Sequence, residues 1–371
     1  MNKIPINKPS ITQLEIDCVH DAITNGWGSK CYDYIFKFED AFKQYQNSNY
    51  AVATSSCTAA IHLGLLALGV TRDDEVIIPE ITWIASASPI LYIGAKPVIV
   101  DVLEESWCID PKKIEAAITP KTKAILIAHI YGNVCEMDEI LTIANKHNLK
   151  IIEDAAEGFG SEYKGRKCGS IGDIGVFSFH GTKTITTGEG GMLICNNEEV
   201  YKKVRVLNDH GRNPEDPENK PYWMRNYGYK YKISNLQAAL GYAQTLRAKE
   251  LVETKIKIFN WYKDLLANEG LMMNASNSDV VNSYWMPTVL LPKNKALKRE
   301  DFFEICKENG VDSRPFFYPL SSLPMFTKVE SNIISYDIYH RGINLPSFND
   351  ISFEEVTKVV ELLKEFLNST N

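Results

Sequence analysis

No Cys-x-x-Cys pair occurs in the chain. Its eight cysteines, at positions 18, 31, 57, 108, 135, 168, 195 and 306, are scattered. They read as reduced cytosolic thiols. The seven histidines show no His-Glu-x-x-His or other zinc spacing, so no metal site is expected. Positive charge is not in excess: the net charge is −7 and the pI about 5.6, which argues against a nucleic-acid partner. No apolar run approaches the length of a membrane span. The start, Met1-Asn-Lys-Ile-Pro-Ile-Asn-Lys-Pro, lacks the apolar core of a signal peptide. A cytoplasmic protein with no nucleic-acid or membrane partner is the expectation. No internal repeat or low-complexity tract is visible.

What is present is a well-packed globule's composition over 371 residues, 44% hydrophobic and 11% aromatic. The length suits a large and a small domain. Strands are expected at 51–53, 75–78, 97–101, 124–128 and 150–154, with helices at 58–68, 85–93, 111–117 and 137–147 between them. Short apolar runs alternating with helices specify a mostly parallel sheet covered on both faces. Before them, Ser10 with Gln13 or Thr12 with Glu15 offers a capping box for a helix over 10–26. The aromatic stretch Trp27–Ile35 that follows is either a packed connection or a substrate wall. After Asn196 a helix is expected at 198–207, then a polar loop at 210–223. A long helix from Ser234 to about Tyr262 follows. The remainder, with a strand-like 284–291 and helices near 299–309 and 353–367, reads as a smaller α+β unit. The boundary falls at 1–248 and 249–371.

Ligands of such sheets bind outside the carboxyl ends of the strands. Ser55-Ser-Cys-Thr58, Thr82-Trp83 and Asp154-Ala-Ala-Glu157 fall there. The first is either an ordinary N-cap or a phosphate cradle at a helix start. Trp83 is either a core aromatic or a plate for a ring. Asp154 is either a solvated strand end or the partner of a protonated ring nitrogen. Lys183 sits in Gly175–Met192 between two short apolar runs, where a lysine is a turn charge or a reactive amine. Ser178 is a buried hydroxyl or a second phosphate ligand. Together these parts are what pyridoxal 5'-phosphate requires: a cradle, a plate, an acid and an amine.

The motifs Glu153-Asp-Ala-Ala-Glu157, Phe177-Ser-Phe-His-Gly-Thr-Lys183 running on to Gly191, Tyr131-Gly132 and Arg341-Gly-Ile-Asn-Leu-Pro-Ser347 resemble the DegT/DnrJ/EryC1/StrS aminotransferases. Within that family the chain is most similar to GDP-perosamine synthase-like sugar aminotransferases. The resemblance covers nearly the whole chain. It implies fold type I, the aspartate aminotransferase-like α/β architecture, with a large mixed sheet and a smaller C-terminal α+β domain. It implies Lys183 as Schiff-base lysine and proton shuttle, Asp154 at the pyridine nitrogen, and Trp83 stacked on the ring. Cys57, Thr58 and Ser178 are implied at the phosphate and Glu157 near the ring. It further implies a homodimer in which Gly228–Lys232 reaches into the partner's site, and a ping-pong transfer from an amino acid donor, L-glutamate, to a nucleotide-linked keto-sugar.

The chain departs from the family pattern at four places. Lys230 stands where the family carries asparagine, and a lysine still meets a phosphate as a point charge. Cys57 replaces the phosphate-loop glycine. Trp27-Gly-Ser-Lys-Cys-Tyr32 replaces Trp-Ile-Ser-Ser-Lys-Gly, and Ser321 replaces a histidine. Trp27, Tyr32, His180, Arg212, Arg314 and Ser321 are therefore the candidate substrate residues. Arg314 is an anion anchor or half of a structural ion pair. The Tyr32 and Ser321 departures motivate a second acceptor, a small phosphorylated ketone such as dihydroxyacetone phosphate. A non-catalytic regulator binding the same cofactor is the reading from another class. Sugar dehydration on this fold goes with histidine in place of the lysine, so Lys183 speaks against it.

Overall fold

The computed structural model describes residues 3–369 except 214, 217, 219, 221, 276 and 294–297. Its main sheet has seven strands: β1 (Tyr50–Thr54), β2 (Glu75–Pro79), β3 (Lys96–Val100), β4 (Thr122–Ala128), β5 (Lys150–Asp154), β8 (Ile174–Ser178) and β9 (Gly191–Cys195). The order is β1-β9-β8-β5-β4-β2-β3. Only β9 runs against the others in this sheet. Val, Ile, Leu and Ala fill both faces, so β2 and β9 are buried along their whole length, whereas edge strand β3 is partly open. A short antiparallel sheet joins β6 (Glu162–Tyr163), β7 (Arg166–Lys167) and β11 (Val280–Val281). The C-terminal part adds a four-stranded antiparallel sheet, β10 (Met272–Met273), β12 (Thr288–Leu290), β13 (Arg314–Pro315) and β14 (Gly342–Asn344).

Helices α1 (Gln13–Asn25), α2 (Asp33–Gln46), α3 (Cys57–Ala67), α4 (Ile84–Ile93), α5 (Pro111–Ala117), α6 (Met137–His147) and α7 (Glu198–Asn208) belong to the first part of the chain. There follow α8 (Asn235–Leu246), α9 (Ala248–Leu265), α10 (Arg299–Glu308), α11 (Ile333–Arg341) and α12 (Phe353–Asn368). The capping box at the start of α1 is the Thr12 one: Glu15 accepts from the Thr12 amide at 2.7 Å and hydroxyl at 2.6 Å. One core fills each side of the main sheet, and a third cluster lies under α9, α10 and α12. Ile4 belongs to that third cluster and bridges to Val311. No helix among the described residues is long and apolar enough to cross a membrane.

Three expectations need correction. The single long helix after Ser234 is two, broken at Arg247 (φ −98°, ψ 6°). The Arg247 guanidinium is held at this break by Glu15 at 2.8 Å and by the Ser10 carbonyl, partners from the N-terminal segment. The aromatic stretch at 27–35 is not one loop: a short 3-10 turn spans Gly28–Lys30, and α2 begins at Asp33 with Tyr34, Ile35, Phe38 and Phe42 on its buried stripe. Of the strand expected at 284–291 only Thr288–Leu290 pairs, since Tyr284 adopts a left-handed φ of 48°. The polar loop at 210–223 forms no helix or strand among its described residues; its prolines at 214, 217 and 221 lie outside them.

Lys255 of α9 is fully buried. It donates to the Ser347 carbonyl and, at 3.1 Å, to the Ser347 hydroxyl, with no carboxylate partner among the described residues. Burial pulls its ammonium down from 10.5 to about 7. Between those values the unfolded chain holds the proton more tightly than the folded one, so stability rises with pH through that window. Lys255→Met is expected to flatten this dependence; urea unfolding at pH 6, 8 and 10 measures it.

Candidate active site

The sheet brings one edge of the chain together. β1, β2, β4, β5 and β8 all end on this edge, and β9 begins there, with Thr54 and Ser178 both paired to Gly191. A cavity of about 540 Å³ opens over it. The cavity walls include Cys57, Thr58, Trp83, Asp154, Glu157, Ser178, His180, Lys183 and Arg314.

The cradle comes from the turn between β1 and α3. Ser56 is the N-cap: its hydroxyl accepts from the Ala59 amide at 3.1 Å and its carbonyl from the Ala60 amide. The Cys57 and Thr58 amides, at the first turn, have no partner within the helix, and the positive end of the helix dipole adds to them. Gly191 makes the close packing possible: a Cβ there would stand 2.5 Å from the Cys57 nitrogen. The Cys57 thiol is pushed well above its usual range by burial and the Asp154 carboxylate, so it stays protonated and is no nucleophile.

Asp154 closes β5 and is buried. Ser86 donates to its Oδ2 at 2.7 Å and the Ala156 amide to its Oδ1 at 3.1 Å. The two bonds fix the carboxylate and leave lone pairs for a cation on the cavity side. Its neighbour Glu153 points the opposite way, as the alternation of a strand requires. It accepts from the amides of Gly169, Ile171 and Gly172 and from His129. Because the His129 Nδ1 accepts the Cys135 amide at 3.3 Å, the ring hydrogen lies on Nε2, 3.0 Å from Glu153.

Lys183 follows β8 in a tight turn, its amide bonded to the His180 carbonyl at 2.9 Å. The ammonium meets Glu157 Oε1 at 3.1 Å and lies 3.9 Å from the centre of the Trp285 ring. Its side chain is 14% exposed, so the amine is sequestered yet borders the cavity. Glu157 also accepts the Tyr131 amide at 3.0 Å. Burial nevertheless raises the Glu157 carboxyl above its usual range, against the pull of Lys183.

The outer wall is polar. The His180 Nδ1 is 2.9 Å from the Thr182 hydroxyl, and its Nε2 is 3.8 Å from Glu189. Arg314 stands at the rim, 61% exposed, with Asp312 at 3.0 Å. Trp83 is half exposed and tilted against Phe317.

Five candidates do not line this cavity. Trp27 is exposed and gives its indole N–H to the Ile23 carbonyl. Tyr32 and Arg212 border a separate cleft with Asp209 and Lys232, where the Lys232 ammonium lies 3.9 Å from the Tyr32 ring centre. Arg212 also lines a cavity of about 450 Å³ with Lys220 and Arg225. Lys230 is exposed, its backbone paired with Asp209. Ser321 is buried away from the cavity: its amide is given to Glu80 at 2.6 Å, and its hydroxyl contacts Tyr336 and the Val329 amide. The turn at Leu320–Ser322 directs it into the interior.

Sequence reasoning missed Ser86, His129 and Trp285. His129 had a local signal, being the residue after the apolar run of β4. Ser86 and Trp285 had none, because each acts on a residue more than sixty positions away.

The residues fit pyridoxal phosphate: free amides and hydroxyls for its phosphate, a fixed carboxylate for its ring nitrogen, and a sequestered amine for its aldehyde. The family model of the DegT/DnrJ/EryC1/StrS aminotransferase family matches residues 9–364. A GDP-perosamine synthase of Escherichia coli O157:H7 is 40% identical over 99% of each chain. Among solved structures, the putative sugar aminotransferase Spr1654 from Streptococcus pneumoniae in its PLP form superposes with a TM-score of 0.92, at 29% identity over the full length of both chains. DesI, solved in the presence of its TDP-sugar product, superposes with a TM-score of 0.87, at 25% identity over 98% of this chain and 92% of its own. The chain belongs to the DegT/DnrJ/EryC1/StrS aminotransferase family and is a transaminase that depends on pyridoxal phosphate.

Proposed function

We propose that this enzyme moves the amino group of L-glutamate to the keto carbon of a nucleotide-linked 4-keto-6-deoxy sugar. The observation that carries the chemistry is the meeting of Lys183, Asp154 and the α3 cradle in one cavity. The acceptor class rests on the GDP-perosamine synthase and DesI likenesses. The bound cofactor supplies a ring that accepts electrons from the substrate's α-carbon. Lys183 carries the reacting amine and moves the proton at that carbon. Asp154 holds the ring nitrogen's proton, and Trp83 covers the ring face. The amides of Cys57 and Thr58, with the Ser178 hydroxyl, hold the phosphate. Arg314 and His180 face the substrate at the rim.

The same reading makes the protein a cytoplasmic homodimer whose two sites each receive Lys230 from the partner subunit. Trp27, Tyr32 and Arg212 meet the acceptor only across that interface. The domains divide near residue 248, and the product enters a surface polysaccharide, of a capsule or a lipopolysaccharide. Incubation with glutamate and a panel of ketones tests the acceptor, with 2-oxoglutarate as the readout. Turnover of a nucleotide keto-sugar is expected. Turnover of dihydroxyacetone phosphate alone overturns the sugar assignment.

Gly191→Ala probes the cradle. The new methyl meets the Ser56 and Cys57 backbone at 2.4–2.5 Å, an overpacking of about 1–3 kcal/mol. Affinity for pyridoxal phosphate is expected to fall about tenfold, measured by titrating the apo-protein with cofactor.

A further inference from the structure

Lys183 is gripped from two sides, and the second grip comes from far along the chain. On one side Glu157 Oε1 accepts from the ammonium at 3.1 Å. On the other the Trp285 ring presents its face at 3.9 Å. The indole N–H of Trp285 donates to the Thr182 carbonyl at 2.9 Å, so the same residue holds the backbone that carries the lysine. Trp285 is 6% exposed and stacks on Tyr131 with ring planes 19° apart. The Tyr131 amide in turn fixes Glu157. Lys183, Glu157, Tyr131 and Trp285 thus close a ring of contacts.

The approach of the 282–285 segment is demanding. Gly132 has φ 97°, and a Cβ on it would stand 2.5 Å from Asn282 Oδ1 and 2.7 Å from the Tyr284 amide. Only glycine leaves room at that point. Tyr131, just before it, is itself left-handed at φ 52°. A costly left-handed Tyr131, beside a position that only glycine fits, is maintained where the Trp285 segment lands.

We propose that Trp285 is the positioning residue for Lys183. Its ring face sets the side chain's direction, while its indole N–H locks the Thr182–Lys183 backbone. An indole serves both ends at once, and a phenyl ring supplies only the face. The lysine's aim then depends on the segment that leads into β12 of the C-terminal sheet. The inference rests on Lys183 being the reactive amine, and the first readout below examines that amine without turnover.

The test compares Trp285→Leu and Trp285→Phe with the wild type. In the apo-protein, acylation of Lys183 by a limiting amine-reactive ester is followed by peptide mass spectrometry at one pH. Losing the ring face releases the side chain from that contact and uncovers it to the reagent, so labelling in Trp285→Leu is expected to rise about 2- to 30-fold. Trp285→Phe is expected to stay near wild type in this assay. Exposed Lys249 and fully buried Lys255 are internal controls. Lys255 stays unlabelled if the fold is intact.

In the holoenzyme, kcat of Trp285→Leu is expected to fall about 10²-fold, the scale of a misplaced reacting group, with KM for donor and acceptor changed little. Trp285→Phe, which keeps the ring face but not the N–H, is expected to have a kcat between those of Trp285→Leu and the wild type. Unchanged Lys183 labelling with an unchanged kcat in Trp285→Leu overturns the proposal. So does a raised KM with kcat intact, which makes the ring a substrate contact. If Lys183 labelling responds but transamination is absent even in the wild type, the assigned reaction fails and the positioning role stands.

Discussion

Lys183→Ala is expected to lower transamination by about 10⁴-fold, the upper end of what a positioned acid–base group contributes. The variant removes the amine that shares the cavity with the Asp154 carboxylate and the α3 cradle. It leaves Ser56, Thr58, Ser178 and Asp154 in place, so phosphate anchoring survives and the cofactor still binds. The loss therefore appears in kcat and not in occupancy. Glu157 loses the Lys183 ammonium that lowers its pKa, so its carboxyl, already raised by burial, is raised further. Thermal unfolding is expected to remain cooperative. A small exogenous amine such as methylamine is expected to restore part of the activity, since the cavity gains room where the side chain stood. Activity within tenfold of wild type would remove Lys183 from the chemistry.

Asp154→Asn changes only charge and donor pattern at the second position. The carboxylate is held by Ser86 and the Ala156 amide and is the acid placed to keep a ring nitrogen protonated. Losing one preorganised electrostatic partner costs about 10²–10³ in rate. A charge-assisted hydrogen bond to the bound ring is lost as well, worth about 1.5–3 kcal/mol. Both kcat and cofactor affinity are therefore expected to fall, unlike in Lys183→Ala. Ser86→Ala separates position from charge. It frees one carboxylate oxygen but leaves the Ala156 bond, so its effect is expected to be smaller than that of Asp154→Asn. Rates are read under saturating cofactor, and affinity by equilibrium dialysis.

The central sheet was legible because its strands are buried on both faces. Lys150–Asp154 reads as an apolar run ended by an acid, and β5 has those bounds. The helix break at Arg247 was not legible: Asn235–Leu265 carries a continuous helical pattern, and the partners that hold Arg247, Glu15 and Ser10, lie more than two hundred residues away. Helix α2 was hidden by the aromatic run before it, whose Trp27 and Gly28 read as a loop while Tyr34 and Ile35 already belong to the buried stripe.

At the site the same division holds. Lys183, Asp154, Glu157 and Thr58 announce themselves by local sequence, since strand ends and helix starts are written in neighbouring residues. Trp285 and Ser86 do not, because their partners come from other elements. Ser321 shows the complementary case: it was singled out by its position in a motif, and only packing reveals that its hydroxyl is turned to Tyr336 and Val329.

The most direct test needs no acceptor. L-Glutamate is added to the yellow holoenzyme, and the visible absorbance and released 2-oxoglutarate are followed together. Lys183 and Asp154 acting as described give bleaching with one 2-oxoglutarate per active site, restored by excess 2-oxoglutarate and absent in Lys183→Ala. A colour that glutamate leaves unchanged, or bleaching that persists in Lys183→Ala at the wild-type rate, would contradict it.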